Sequence, residues 1–191
     1  MPMQAISLLI VDDEPVTRRG LQLFVQQLKG IEVLDVAVDA EDALSKIENL
    51  HPSIVVMDIG LPGMDGISAA REIKKRNPNQ KVLMLTANES EDAIFGSFDA
   101  GADGYVLKTA FANSLELALR TIKSGSVWFD PMIAQRILQL ARSNSPVSKL
   151  PRLSMNEQVV LEDIARESCS DGVCLINPSF IDNLRRARFQ P

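Results

Sequence analysis

Five short apolar runs alternate with five amphipathic stretches before residue 125. The runs lie near 6–11, 32–38, 53–58, 81–86 and 103–107 and are rich in Val, Ile and Leu. Ser7-Leu8-Leu9-Ile10-Val11 and Ser53-Ile54-Val55-Val56-Met57 are continuous rather than alternating, as in strands covered on both faces. The stretches near 15–29, 40–50, 65–76, 89–100 and 111–124 have the helical period. Leu21, Phe24, Val25 and Leu28 show it in the first, and Leu115, Leu119 and Ile122 in the last. Five β-α units predict a doubly wound parallel sheet.

The pattern changes after residue 125. Ile133, Ile137, Leu138 and Ala141 predict a helix over 131–142. The Ser- and Pro-containing segment 143–151 reads as a linker. Ser154, with Glu157 three residues on, forms a capping box for another helix, whose apolar face is Val160, Leu161 and Ile164. Asp171-Gly172 and Asn177-Pro178 then break the pattern, and a short basic helix is expected over 179–189. The expected organisation is a first domain over 1–125, a helix and linker over 126–152, and a small helical region over 153–191.

Composition narrows the class. Hydrophobic residues make up 46% of the chain and charged residues 24%, the balance of a soluble globular protein. No apolar run approaches the ~18–20 residues of a membrane span. The N-terminus lacks the basic segment and apolar core of a secretory signal, so a cytoplasmic protein without membrane contact is expected. Cys169 and Cys174 are the only cysteines. Two thiols do not close a structural zinc site, and free thiols are the default in a reducing compartment. Residues 1–130 hold 12 Lys+Arg against 19 Asp+Glu, a net charge of −7, and residues 131–191 hold 8 against 6, a net of +2. The acidic first part argues against nucleic-acid contact there.

Polar residues at four strand ends carry the candidate chemistry. Asp12 and Asp13 follow the first run, Asp58 the third, Thr86 the fourth and Lys108 the fifth. Ligands of open parallel sheets bind outside the carboxyl ends of the strands. Three carboxylates, a hydroxyl and an ammonium there describe a site for a divalent cation and a phosphoryl group. Asp12, Asp13 and Asp58 suit a hard cation such as Mg²⁺, and Asp58 suits a carboxylate nucleophile. Lys108 would balance charge on the transferred group, and Thr86 could donate to a phosphoryl oxygen. Taken singly, each has a plainer reading: helix cap, turn residue or solvated charge. Gly63 and Gly66 read as turn residues before a helix. Without further context, Tyr105 reads as a strand residue at a sheet edge. His51, the only histidine, reads as a surface residue at a turn, which argues against a histidine phosphotransfer module.

Val11-Asp12-Asp13-Glu14-Pro15, Met57-Asp58 through Gly66, Leu85-Thr86-Ala87 and Gly104-Tyr105-Val106-Leu107-Lys108 resemble the receiver domain of bacterial two-component response regulators. The resemblance covers about residues 5–125. It implies a flavodoxin-like (CheY-like) sheet of order 2-1-3-4-5. It implies Asp58 as phosphoacceptor, Asp12 and Asp13 as the acidic pair, and Mg²⁺ held by Asp13, Asp58 and the Gly60 carbonyl. It also implies Thr86 and Tyr105 as switch residues and Lys108 as the phosphoryl contact. Thr109 stands where many receivers have a proline in a cis peptide. A non-proline cis bond costs ~3–4 kcal/mol, so this loop is expected to be strained or rebuilt. Gly60 has no side chain to orient a hydrolytic water, a task that Asn88 could share.

The segment from Leu153 to Ala165, with the helix and linker before it, resembles the start of the DNA-binding domain of NarL/LuxR-type regulators. Beyond Ala165 the resemblance fades. Phe180, Ile181 and Leu184 with Arg185, Arg186 and Arg188 read either as a vestigial recognition helix contacting DNA or as a solvated basic end. A truncated or frame-shifted chain is a further alternative. The expected function is phosphorylation-activated regulation of transcription, with a sensor histidine kinase as donor and either a homodimer on phosphorylation or release of the C-terminal region. A protein-interaction switch without DNA binding is the rival. An aspartyl phosphatase is disfavoured, because such enzymes usually carry a second aspartate where Gly60 stands. The receiver would catalyse only its own phosphorylation and dephosphorylation.

Overall fold

The computed structural model describes residues 5–87, 90–130 and 133, with the backbone alone at Glu91, Leu175 and Ile176. Strands β1 (Ile6–Val11), β2 (Ile31–Ala37), β3 (Ile54–Met57), β4 (Lys81–Thr86) and β5 (Gly104–Leu107) alternate with helices α1 (Pro15–Val25), α2 (Ala40–Leu50), α3 (Gly66–Arg76), α4 (Glu91–Asp99) and α5 (Phe111–Lys123). Strands β6 (Val127–Phe129) and β7 (Leu175–Ile176) follow. The order is β2-β1-β3-β4-β5-β6-β7. Every pairing through β6 is parallel, and β7 is antiparallel to β6.

Strand side chains alternate between two cores, as the two-residue period requires. Leu8, Ile10, Ile54, Val56, Leu83 and Val106 pack with Leu21 and Val25 of α1 and Leu115, Leu119 and Ile122 of α5. Leu9, Val11, Val55, Met57, Met84 and Leu107 pack with Ala40, Ala43, Ala69, Ala70, Ala93 and Ile94 of α2, α3 and α4. Both sheet faces are therefore covered, which is why these strands carry continuous apolar runs. Capping follows local chemistry. Asp39, Asp65 and Ser90 accept from Asp42 N–H, Ser68 N–H and Ala93 N–H at 2.8, 2.8 and 3.2 Å, the expected N-cap bond. α1 starts on Pro15, whose fixed φ suits a first helical position. Exposed His51 ends α2 in the left-handed region at φ 48°, in keeping with its reading as a surface turn residue.

The five-stranded order 2-1-3-4-5 is present but is not the whole sheet. Residues 126–129 were expected within a helix and linker, yet Val127–Phe129 pair with β5. Three residues are too few to show a period in sequence; the unpaired groups along β5 supply the pairing. Strand β5 is therefore interior, and Tyr105, read alone as an edge residue, is only 1% exposed. The first helix ends at Val25 rather than near 29. Its chain tightens through Gln27 N–H to Phe24 O and Leu28 N–H to Val25 O, then turns at Gly30 with φ +74°. Asn88, the helix over 131–142 apart from Ile133, the linker, the capping box, both cysteines and Arg185, Arg186 and Arg188 lie outside the described residues.

Two glycines test this packing in opposite directions. A Cβ on Gly104 would lie 2.8 Å from Ile122 Cδ1, 2.9 Å from Leu83 Cδ1 and 3.1 Å from Trp128 O. Gly104→Ala is expected to destabilise by about 1–3 kcal/mol through overpacking. Exposed Gly20 lies inside α1 with nothing within 4 Å of a Cβ. Gly20→Ala is expected to stabilise by about 1 kcal/mol, roughly 2–4 °C in Tm. Thermal melts of both variants check the pair.

Candidate functional site

The carboxyl ends of β1, β3, β4 and β5 converge because adjacent parallel strands are in register there. Val11 pairs with Met57, Met57 with Met84, and Thr86 with Leu107. One further bond extends the β1–β3 and β4–β5 ladders towards the polar residues. Asp58 N–H donates to Val11 O at 2.9 Å and Lys108 N–H to Thr86 O at 2.8 Å. Asp12, Asp13, Asp58, Thr86 and Lys108 are thus brought to one end of the sheet. Carboxylate oxygens of Asp12, Asp13 and Asp58 lie within 4.8 Å of one another. Asp12 and Asp58 are buried and Asp13 is exposed, so the group could hold a cation that keeps water on its open side.

Lys108 binds this group together. Its Nζ lies 2.7 Å from Asp12 Oδ2 and 2.9 Å from Asp58 Oδ2. Asp12 Oδ1 also accepts from Glu14 N–H at 2.9 Å. Burial raises the Asp12 carboxyl above its ordinary 3.8, over the opposing Lys108 and Glu14 hydrogen bonds and with a further push from Asp58. Burial opposes the Lys108 charge, but hydrogen bonds and attraction from Asp12 and Asp58 outweigh it and raise the ammonium above 10.5. Burial thus works against the Asp12 charge, while the two carboxylates favour the Lys108 charge.

Thr86 is buried at the end of β4, beside Tyr105 of β5, whose register partner is Met84. Gly60 is exposed, and a Cβ there would lie 3.6 Å from Asp58 Oδ2. Among the described residues every peptide bond is trans. The loop at Thr109 is therefore rebuilt without a cis bond; Ala110 N–H donates to Leu107 O at 2.9 Å, and Lys108 still reaches both carboxylates.

Two residues at the site were not singled out in sequence for their place there. Arg18 Nη1 donates to Asp12 O at 2.6 Å, fixing the peptide between the paired aspartates. Its signal was weak, since an arginine in a first helical turn is ordinary. Gly66 was read as turn chemistry, but the requirement is close approach. A Cβ there would sit 1.9 Å from the Asp58 carbonyl oxygen, while Gly66 N–H donates to Ile59 O at 3.0 Å. Gly63, with φ +74°, does fit the turn reading.

Gly66→Ala is expected to lower stability by about 2–3 kcal/mol, because backbone must move, and to displace Asp58; melts and divalent-cation titration together check this. The Asp12 shift carries a pH sign. A carboxyl raised in the folded state penalises folding once ionised. Asp12→Asn should therefore raise Tm at pH 7 without divalent cation, the gain vanishing as pH falls below the ordinary carboxylate value. The raised Lys108 ammonium contributes stability that is complete below 10.5 and lost as pH rises through its folded value. Melts across pH on the parent chain and Asp12→Asn measure both windows.

Comparison with known proteins agrees with this geometry. The response regulator receiver domain family matches residues 8–120. The response regulator protein VraR of Staphylococcus epidermidis is 31% identical over 85% of this chain and 77% of its own length. The response regulator GacA of Pseudomonas protegens is 29% identical over 97% of this chain and 88% of its own. A crystal structure of a LuxR-family two-component response regulator from Aurantimonas sp. SI85-9A1 superposes with a TM-score of 0.69, at 33% identity, over 71% of this chain and 97% of that one. The chain belongs to the response regulator receiver domain family and is a phosphorylation-activated two-component response regulator of the NarL/LuxR type.

Proposed function

We propose that Asp58 is the phosphoacceptor, that Asp13, Asp58 and the Gly60 carbonyl hold Mg²⁺ with Asp12 beside them, and that a sensor histidine kinase is the donor. The observation that carries this reading is the Lys108 ammonium held between Asp12 and Asp58 at 2.7 and 2.9 Å. A carboxylate oxygen of Asp58 attacks phosphorus, the new O–P bond forms, and the donor's bond to phosphorus breaks with its electron pair leaving on the donor. Bound Mg²⁺ would supply positive charge against the phosphoryl oxygens. Lys108 supplies the rest from its place beside Asp58, and Thr86 donates its hydroxyl to a phosphoryl oxygen. Thr86 moving inward, with Tyr105 following, would alter the surface of α4, β5 and α5 and promote a homodimer. The self-catalysed transfer and hydrolysis act on no external substrate.

Regulation of transcription in the cytoplasm is the output we favour, with Arg185, Arg186 and Arg188 as DNA contacts and 153–191 as the output region. Among the described residues no helix is long and apolar enough to cross a membrane. A protein-interaction output is the second reading, and the pairing of Leu175–Ile176 with β6 supports it.

Incubation with a small phosphodonor and Mg²⁺ is expected to give a hydroxylamine-labile acyl phosphate on the parent chain and none on Asp58→Ala. Persistent labelling of the variant would sink the assignment, and chelation of Mg²⁺ should abolish labelling of the parent. Genomic DNA binding with and without beryllofluoride, across a salt series, separates the outputs: activated, sequence-selective binding is expected for a DNA reader.

A further inference from the structure

The outer edge of β6 is occupied by a distant part of the chain. Val127 pairs with Ile176 and Trp128 with Leu175, antiparallel. A sheet edge offers a row of unpaired N–H and C=O groups that captures an extended segment by strand addition. The sequence around the captured strand fits that mode. Leu175–Ile176 end an apolar run of sequence, Val173-Cys174-Leu175-Ile176, between Asp171-Gly172 and Asn177-Pro178, the pattern of a short strand between turns.

The inner side of β6 is fixed to the strand that carries Tyr105 and ends at Lys108. Trp128 N–H donates to Asp103 O and Asp130 N–H to Tyr105 O, both at 3.1 Å. Phe129 packs on Phe98 of α4 with ring centroids 4.5 Å apart. Trp128 is 0% exposed in the core beneath α1 and α5. Gly104 leaves no slack, since even a Cβ would meet Trp128 O at 3.1 Å. A displacement of β5 or α4 is therefore transmitted to β6.

We infer that the outer edge of β6 is a docking surface for the chain's own strand Leu175–Ile176, and that its occupancy is coupled through β5 to the site at Asp58. The coupling rests on the phosphoacceptor reading above; the docking does not. A group bound at Asp58 meets Lys108 and Thr86, and Thr86 is the register partner of Leu107 in β5. Because coupling between two sites is reciprocal, docking of Leu175–Ile176 and binding at Asp58 alter each other's affinity by one factor.

A reporter pair can be placed across this pairing. Trp128 is the only tryptophan and Cys169 and Cys174 the only cysteines, so Cys169→Ser/Cys174→Ser/Leu175→Cys leaves one thiol, at the register partner of Trp128. A bimane on that thiol of the full chain is expected to be quenched by Trp128 at every protein concentration. Quenching should be lost in Trp128→Phe, which keeps the backbone pairing. It should be lost too in Ile176→Pro, which removes the strand donor towards β6, since Trp128 N–H is engaged by β5 and Val127 pairs with Ile176. Mg²⁺ with beryllofluoride should shift the docked fraction, and Ile176→Pro should change beryllofluoride affinity by about fivefold or more, the lower range of allosteric coupling. Unquenched bimane, or quenching that survives Ile176→Pro, overturns the docking. Quenching that grows with protein concentration overturns it in favour of a second copy's segment. Beryllofluoride bound by fluorine NMR, with unchanged emission and unchanged affinity in the proline variant, overturns the coupling. No bound beryllofluoride overturns the phosphoacceptor reading and the coupling together, and leaves the docking standing.

Discussion

Three carboxylates confined at the ends of two neighbouring strands repel one another, and the surrounding structure is what keeps them together. Asp12 and Asp13 end β1, and Asp58 ends β3, in a sheet whose in-register parallel pairing permits no retreat. Their repulsion is offset locally by one ammonium, Lys108, brought from the end of β5. Burial makes the arrangement expensive for Asp12 and strengthens the hold on Lys108. Such a cluster could hold a further cation beside the exposed Asp13.

The supporting features serve the same confinement. Gly66 lets the first turn of α3 rest against the Asp58 carbonyl, where any side chain would collide. Arg18 fixes the Asp12 carbonyl from the first turns of α1. The small residues Ala40, Ala43, Ala69 and Ala70 bring α2 and α3 close to the sheet. None of these groups needs to touch a phosphoryl group to matter, because geometry at such a site is held by its surroundings.

Strand β6 changes how the fold reaches outward. Without it, β5 would be an edge, and Tyr105 a half-covered side chain. With it, β5 is interior, the Tyr105 carbonyl is engaged by Asp130 N–H, and the outer side of β6 pairs in turn with β7. The stack of Phe98 on Phe129 ties α4 to β6. Backbone pairing and the Phe98–Phe129 contact thus join β6 to β5 and α4.

Much of this was legible in the residues. Apolar runs located five strands to within about a residue; β1, β3, β4 and β5 are nearly all buried, and a strand buried on both faces has few polar positions to blur it. Asp12, Asp13, Asp58, Thr86 and Lys108 were legible because parallel β-α topology sends every strand end to one side. Helix ends were less so: α1 stops at Val25 although Leu28 continues its period, since a period marks a face and not a terminus. Gly66 could be seen as a glycine but not as a contact with Asp58, which exists only once α3 folds back. Val127–Phe129 and Leu175–Ile176 were missed because short strands take their identity from the edge they join. The sequence by itself determined the order of elements and the chemistry at their ends, which are local properties of period and residue type. The tertiary structure alone decided that Lys108 bridges two carboxylates, that Gly66 must be glycine and that β5 is interior, because each depends on distances between segments far apart in the chain.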